Sequence, residues 1–316
     1  MDVLYWFWPE RSGLATLIDD QKVWVGYRRA AADTGLELDV ITVDDVVLAA
    51  SPGGAPRAFV RGVPVDPHRA LFHTKLYTWP MFQPDAWRYL STFESLRAAG
   101  YCTLIRNELN LLTNDKLATL LHLRDVDAQW LPTVSVPTRD FGGLAVRLSD
   151  AGVDYPVVVK PASWGAGMGV LRAQDEHELV MALRLASAAE LTMVVQPYVA
   201  AAGTVTDTRV FCVDREPIGA FRRVAAGTVA NVTGGGRAAL VDVPDELRER
   251  ANAIAKRLDT PWLGVDFLST GDGYALSEVE VDACVSAQSL AIPGMDGVLA
   301  ARFRAYKADF DRWRSR

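Results

Sequence analysis

The sequence predicts an α/β fold of the α+β kind, with a small parallel α/β unit at the N-terminus followed by units built on antiparallel hairpins. Three observations predict it. Strand and helix patterns alternate through residues 1–105, the rhythm of a parallel sheet with crossover helices. Tyr155–Lys160 (YPVVVK) is a β-branched strand running into a glycine-rich turn, after which Val170-Leu171 begins another strand. Trp262–Asp282 reads as two apolar alternating runs joined by Gly271-Asp272-Gly273, a strong hairpin signal.

In order, residues 3–8 read as a strand and 14–33 as a helix ending near Gly35. Leu36–Val43, Ala70–His73 and Tyr101–Arg106 follow as strands, with a helix over Asp85–Ala99. The segment His73–Pro80 follows a strand end, where α/β proteins often bind ligands, and reads equally well as a packed loop. In Asn107–Leu123, Thr113 or Asn114 can cap a helix whose first turn holds Lys116. A lysine there opposes the helix dipole, which suits a role in holding an anion as well as a solvated side chain. Asp175–Ala188 has helical periodicity, Leu191–Val195 is an apolar strand, and Thr206–Val213 alternates so that Asp207 and Arg209 share a face. In Ile218–Val224, Arg222 and Arg223 are consecutive and must point opposite ways. Asp245–Leu258 reads as an amphipathic helix and Gly297–Arg316 as a terminal one. The expected division is 1–106, 107–199 and 200–316.

Register decides what the last hairpin can do. A three-residue loop at 271–273 sets Thr270 opposite Tyr274 and Asp266 opposite Glu278, so Asp266, Glu278, Glu280 and Asp282 share one face. A two-residue loop would split Asp266 from the other three. Carboxylates so arranged repel unless a cation sits among them, and oxygen ligands without His or Cys suit Mg²⁺. The competing reading is a solvated acidic face, although Leu263, Val265, Phe267, Val279 and Val281 anchor the opposite side to a core.

Composition narrows the rest. With 316 residues, half of them apolar, the chain can bury a large core. A net charge of −6 and a pI near 5.3 argue against a nucleic-acid surface. Cys102, Cys212 and Cys284 show no paired spacing and read as buried thiols of a reducing cytoplasm. The first residues carry an apolar run too short for a signal sequence, and no run approaches a membrane span. His68, His73, His122 and His177 form no metal-binding pattern.

Glycines at 165, 167 and 169 leave backbone N–H groups able to curl around an anion, and the strand before them ends on Lys160, a point charge for phosphoryl oxygens. Neither GxxxxGK[ST] nor a helix-opening GxGxxG is present, so the turn reads as the mobile tip of a hairpin or as an ordinary turn. Gln196-Pro197-Tyr198-Val199 ends its strand at a proline break, an edge able to recognise a flat base.

Taken together and in order, NDK (114–116), VVVKPASWGAGMGV (157–170), VVQPYV (194–199), DTRVFCV (207–213), FRRV…NVTGGG (221–236), LGVDFL (263–268) and EVEVD (278–282) resemble the ATP-grasp family. The branch is the one containing glutathione synthetase and the ribosomal-protein glutamate ligases, and the likeness covers residues 107–300. It implies a preceding α/β domain, then two ATP-grasp subdomains with nucleotide between their sheets. It further implies that Lys116 and Lys160 bind ATP phosphates beneath a flap comprising Ser163, Trp164, Gly165, Gly167 and Gly169. Gln196, Tyr198 and Val199 would lie at the adenine hinge, and Asp266, Glu280 and Asp282 would hold two Mg²⁺. Arg209, Arg223 and Asn231 would face the transferred phosphoryl group and the carboxylate. Two departures stand out: Asp282 replaces the frequent asparagine of Glu-Val-Asn, and Val229 stands where an arginine usually precedes Asn231.

The activity the resemblance implies is ATP-dependent ligation of a small carboxylate to an amine through an acyl phosphate. A small-molecule kinase, an intramolecular cyclising ligase and a regulatory nucleotide-binding module are the alternatives. Partners would be small carboxylates and amines, or a peptide or carrier protein, with no nucleic acid or membrane. Dimers are common in that family.

Overall fold

The computed structural model describes residues 1–9, 21–77, 86–136, 141, 143–165, 167–200, 203–226 and 237–316. The first sheet has the order β2-β1-β6-β7, all parallel, from β1 (Asp2–Phe7), β2 (Leu36–Ile41), β6 (Ala70–His73) and β7 (Cys102–Thr103). Helices Gln21–Ala32 and Ala86–Ala98 cover it, as the alternating pattern predicts; the expected start of the first of these helices, at 14–20, lies outside the described residues. An unpredicted antiparallel sheet of β3 (Val46–Ala49), β4 (Arg57–Val60) and β5 (Val63–Pro64) sits between β2 and β6.

Two short helices follow, Asn107–Thr113 and Lys116–His122. The second is capped by Asp115, whose carboxylate accepts from Ala118 N at 2.8 Å, rather than by Thr113 or Asn114. Thr113 Oγ1 instead donates to Leu109 O, and Asn114 Nδ2 donates to Leu76 O.

The second sheet, order β10-β9-β11-β8, is built from β8 (Val134–Val136), β9 (Val157–Pro161), β10 (Leu171–Ala173) and β11 (Met193–Pro197), with antiparallel neighbours. β9 and β10 are the two arms of the glycine-rich hairpin, pairing Leu171 with Val159. Helices Leu144–Asp150 and Glu176–Ala188 pack on this sheet through Leu144, Leu148, Leu179 and Leu183, making a core of its own.

The third sheet is wholly antiparallel, order β14-β13-β12-β15-β16: β12 (Thr204–Val213), β13 (Glu216–Ala226), β14 (Arg237–Val241), β15 (Trp262–Thr270) and β16 (Gly273–Val281). Helix Asp245–Leu258 and the terminal helix Met295–Arg314 cover its apolar face. The terminal helix begins two residues earlier than the periodicity predicts. Its Phe303, Tyr306 and Phe310 join Trp6 and Tyr27 of the first unit in one core, which ties the first sheet to the third.

The hairpin register differs from the expectation in an informative way. Thr270 pairs with Gly273 and Ser269 with Tyr274, so the loop has two residues, Gly271-Asp272. That loop alone would turn Asp266 away from the acidic face. A β-bulge at Ser277 inserts one residue into β16 and shifts the register, so Asp266 still pairs with Glu278 and Gly264 with Glu280. The wrong turn and an unforeseen bulge cancel.

Candidate active site

The second and third sheets face one another across an open cleft of about 770 Å³, counting the part open to solvent. Strand ends position its walls. Lys160 leaves β9 and Gln196 leaves β11 on one side; Asp207, Arg223 and Asp266 project from the facing sheet. Helix Lys116–His122 is tied in by Lys116 N donating to Ala162 O at 3.0 Å, so both lysines reach the cleft from one end.

Lys116 Nζ donates to Trp164 O at 2.5 Å and lies 3.4 Å from Glu278 Oε1. Lys160 is buried, with a pKa lowered to about 8, by burial first and by the Lys116 charge second; Glu278, Asp207 and Asp266 pull the other way. Two lysines lining one cleft, one of them buried enough to lower its pKa, suit a polyanion.

The flap departs from β9 through Ser163 and Trp164. Gly167 and Gly169 adopt left-handed φ of +73° and +68°, which a Cβ would strain. At Gly169 a Cβ would also sit 2.8 Å from Pro161 Cγ and 3.3 Å from Trp164, whereas at Gly165 it would meet nothing within 4 Å. Trp164, Gly167 and Val170 line the cleft, so the hairpin tip closes over the lysines. Ala166 lies outside the described residues.

At the far end Gln196 is buried and donates to Thr133 Oγ1 at 2.8 Å, while Tyr198 N donates to Pro156 O at 2.9 Å. The Tyr198 ring carries Arg172 of β10 above it, 4.1 Å from the guanidinium carbon to the ring centroid. Tyr198 and Val199 line the cleft here.

The charged floor is a row of alternating signs across three strands. Cross-strand pairing sets Arg223 of β13 opposite Asp207 of β12, and Arg209 of β12 opposite Asp266 of β15. Arg223 Nε donates to Asp207 Oδ1 at 2.8 Å and its Nη2 to Asp266 Oδ2 at 2.9 Å. Arg209 holds Asp266 with two nitrogens and also reaches Glu280 Oε2 at 3.1 Å. Gly264 stands opposite Glu280, where a Cβ would lie 2.4 Å from Ala283 Cβ and in ordinary contact with Arg209, so the glycine is what lets Ala283 pack over β15. Burial would raise the Asp266 pKa, but the two guanidinium groups hold it well below the usual carboxylate range. Asp207, for which burial outweighs Arg223, is pushed up to about 6, and burial likewise raises Glu280. Arg222 is half-buried on the opposite face, as two consecutive arginines require.

The structure therefore brings together Lys116, Lys160, Trp164, Gly167, Gln196, Tyr198, Val199, Arg223 and Asp266 around one cleft, with Arg209 and Glu280 immediately behind Asp266. Asp266 lines the cleft with the lysines and Glu280 stands beside it across Arg209, two oxygen donors that would suit a hard cation, since Mg²⁺ needs few protein ligands. Asp282 is not brought into this group. It lies past the end of β16, and its carboxylate meets Arg302, His73 and Tyr306. Among the described residues no three acidic, imidazole or thiol groups converge as metal ligands do. Asn231 and Val229 lie outside the described residues. His73, Thr74, Lys75 and Leu76 are buried, the packed-loop alternative for the start of that segment. The sequence set Glu278 on the acidic face without giving it a role of its own and left Asp207 and Gly264 unassigned; the DTR alternation pointed to Asp207, and nothing local to Gly264.

A profile of RimK-like ATP-grasp domains matches residues 144–293. Over 196 residues the chain is 27% identical to the coenzyme gamma-F420-2:alpha-L-glutamate ligase of Methanococcus maripaludis, covering 61% of this chain and 66% of that protein. A probable alpha-L-glutamate ligase of Haemophilus ducreyi is 28% identical, with 57% of its length covered, so the chain spans less than two thirds of these relatives. The crystal structure of D-cycloserine synthetase DcsG superposes with a TM-score of 0.66 at 18% identity, covering 98% of this chain and 99% of that one, and shares its fold. No described helix is long and apolar enough to cross a membrane.

Proposed function

We propose that this chain, whose residues 144–293 match RimK-like ATP-grasp domains, is an ATP-dependent ligase joining a small carboxylate, an amino acid by class, to an amine. One observation carries the reading: Lys116 and Lys160 face Asp266 and Glu278 across a single cleft, beneath a flap in which Gly167 and Gly169 cannot be replaced without strain. Such a cleft aligns and neutralises a triphosphate, and phosphoryl transfer asks little else of a protein.

In this reading the two lysines hold phosphoryl oxygens, and the flap excludes water from the acyl phosphate formed when the substrate carboxylate attacks the γ-phosphorus and its bond to the β,γ-bridging oxygen breaks to release ADP. The amine then displaces phosphate and an amide results. Arg209 and Arg223 face the transferred group, with Asn231 assigned alongside them by the family pattern. Gln196, Tyr198 and Val199 form the edge that takes the base. Bound Mg²⁺, two ions in this proposal, would be held by Asp266 and Glu280 and would neutralise phosphate charge. The units 1–106, 107–199 and 200–316 divide the labour, the first shaping the acceptor side. The partners proposed are small carboxylates and amines, with a peptide or carrier protein as the larger class.

The test is release of ADP and phosphate from ATP and Mg²⁺ against pairs of amino acids and amines. Phosphate release that requires both partners supports the ligase. ADP formed with no free phosphate would make the protein a kinase, and no turnover with any pair would sink both.

A further inference from the structure

The strand carrying Glu280 leaves the sheet through Val281-Asp282-Ala283-Cys284-Val285, and this exit is held from three parts of the molecule. Lys75, beyond the end of β6, donates from Nζ to Val281 O at 2.7 Å. Asp282 turns off the strand with a φ of +64° and is 3% exposed. Its Oδ2 accepts from Arg302 Nη2 at 2.6 Å and lies 2.6 Å from His73 Nε2, while its Oδ1 accepts from the Tyr306 hydroxyl. Arg302 is wholly buried; its Nε donates to Tyr306 Oη at 2.7 Å and its Nη1 to Tyr27 Oη at 2.8 Å. Beyond Asp282, Trp262 Nε1 donates to Ala283 O at 3.0 Å, and Ala283 Cβ lies over the bare backbone of Gly264.

A buried guanidinium needs a counter-charge, and Asp282 supplies it; the carboxylate in turn has three side chains on its two oxygens. A cation drawn to Asp282 would have to strip these contacts and leave Arg302 unpaired. Asp266 is held as firmly, by Arg209 and Arg223, but it lines the cleft, which Asp282 does not, and Glu280 meets Arg209 through one oxygen at 3.1 Å.

We infer that Asp282 is a positioning residue and not a metal ligand: through Arg302, Tyr306 and His73 it fixes the strand exit and so the aim of Glu280. The carboxylate at this position serves the terminal helix and the first sheet, and metal binding falls to Asp266 and Glu280. This rests on the ATP–metal reading of the cleft proposed above.

The test uses the full chain, ATP and Mn²⁺ as the probe, read by titration and by the Mn²⁺ electron paramagnetic resonance line shape. If wild type binds no Mn²⁺ with ATP, the nucleotide reading itself fails. If it binds, Glu280→Gln should weaken Mn²⁺ by about tenfold or more, since one of the two charged oxygen ligands loses its charge. Asp282→Asn should stay within about threefold of wild type, lower the melting temperature, and change the line shape because Glu280 is less well held. Arg302→Met should do the same, and the double variant should be little worse than either. Loss of Mn²⁺ affinity in Asp282→Asn to match Glu280→Gln would overturn the proposal, as would a line shape identical to wild type. Where Asp282→Asn does not fold, Tyr306→Phe decides. A positioning role leaves Mn²⁺ affinity unchanged and lowers the melting temperature, whereas a ligand role strengthens Mn²⁺ binding by freeing an oxygen.

Discussion

Arg209 meets Asp266 edge on, Nε to Oδ1 at 2.6 Å and Nη2 to Oδ2 at 2.7 Å, a bidentate pair inside the sheet face that floors the cleft. With Arg223 on Asp266 Oδ2 as well, this carboxylate is the common partner of two guanidinium groups. It is therefore a structural as well as a chemical residue, and the two consequences can be measured apart.

Asp266→Asn keeps the shape and removes the charge. It should lower unfolding stability by about 3 kcal/mol, because two largely buried guanidinium groups lose their shared counter-charge. Turnover should fall by about 10²-fold or more from lost transition-state neutralisation. Denaturant unfolding alongside ADP release checks both, and an unchanged unfolding midpoint would contradict the pairing described.

Lys160 sets a pH limit. Its pKa of about 8 is below the ordinary lysine value because of burial first and Lys116 second. A depressed cationic pKa means that, above about 8, the folded chain has released a proton the unfolded chain still holds. This residue's effect on stability therefore favours folding as pH rises through that window. Nucleotide binding runs the opposite way: the Kd for ATP should rise above pH 8, by up to about tenfold per pH unit if this one charge is required. In Lys160→Arg the rise should vanish. The same slope in both proteins would remove Lys160 from the phosphate site.

Gly169 and Gly165 separate backbone need from mere flexibility. Gly169→Ala places a Cβ 2.8 Å from Pro161 at a φ of +68° and should cost about 1–2 kcal/mol, with weaker ATP binding. Gly165→Ala meets open space and should change ATP affinity little. Calorimetric titration of the two variants, with melting curves, distinguishes them.

Asp207 holds Arg223 through Nε, and nothing in the family pattern assigns it a task. Asp207→Asn should leave Arg223 swinging toward Asp266, lowering kcat more than it raises the KM for ATP. An unchanged kcat would show that Arg223 keeps its place without this anchor.

Much of the fold was legible because its signals are local. Alternation marked β1, β2, β9, β12, β15 and β16, and helical periodicity gave Asp245–Leu258 to the residue. Lys116, Lys160 and the glycine flap were readable because each sits where a strand ends or a helix begins, and Asp266 because side chains alternate along its hairpin. The small sheet β3-β4-β5 and the Asp115 cap were missed, since short strands and competing Asx caps differ by contacts only the folded chain supplies.

By itself, then, the sequence determined the order of strands and helices, the glycines of the flap and which residue types could meet a phosphate, all set by near-neighbour backbone and side-chain chemistry. Tertiary structure alone decided the partners. The Ser277 bulge, not the turn, put Asp266 with Glu278. Pairing across three strands let Arg209 span Asp266 and Glu280, and Arg302, twenty residues beyond Asp282, drew that carboxylate out of the acidic row. Carboxylates of one type and one spacing diverge because a buried charge goes where its counter-charge is fixed, and that place is set by packing between distant segments.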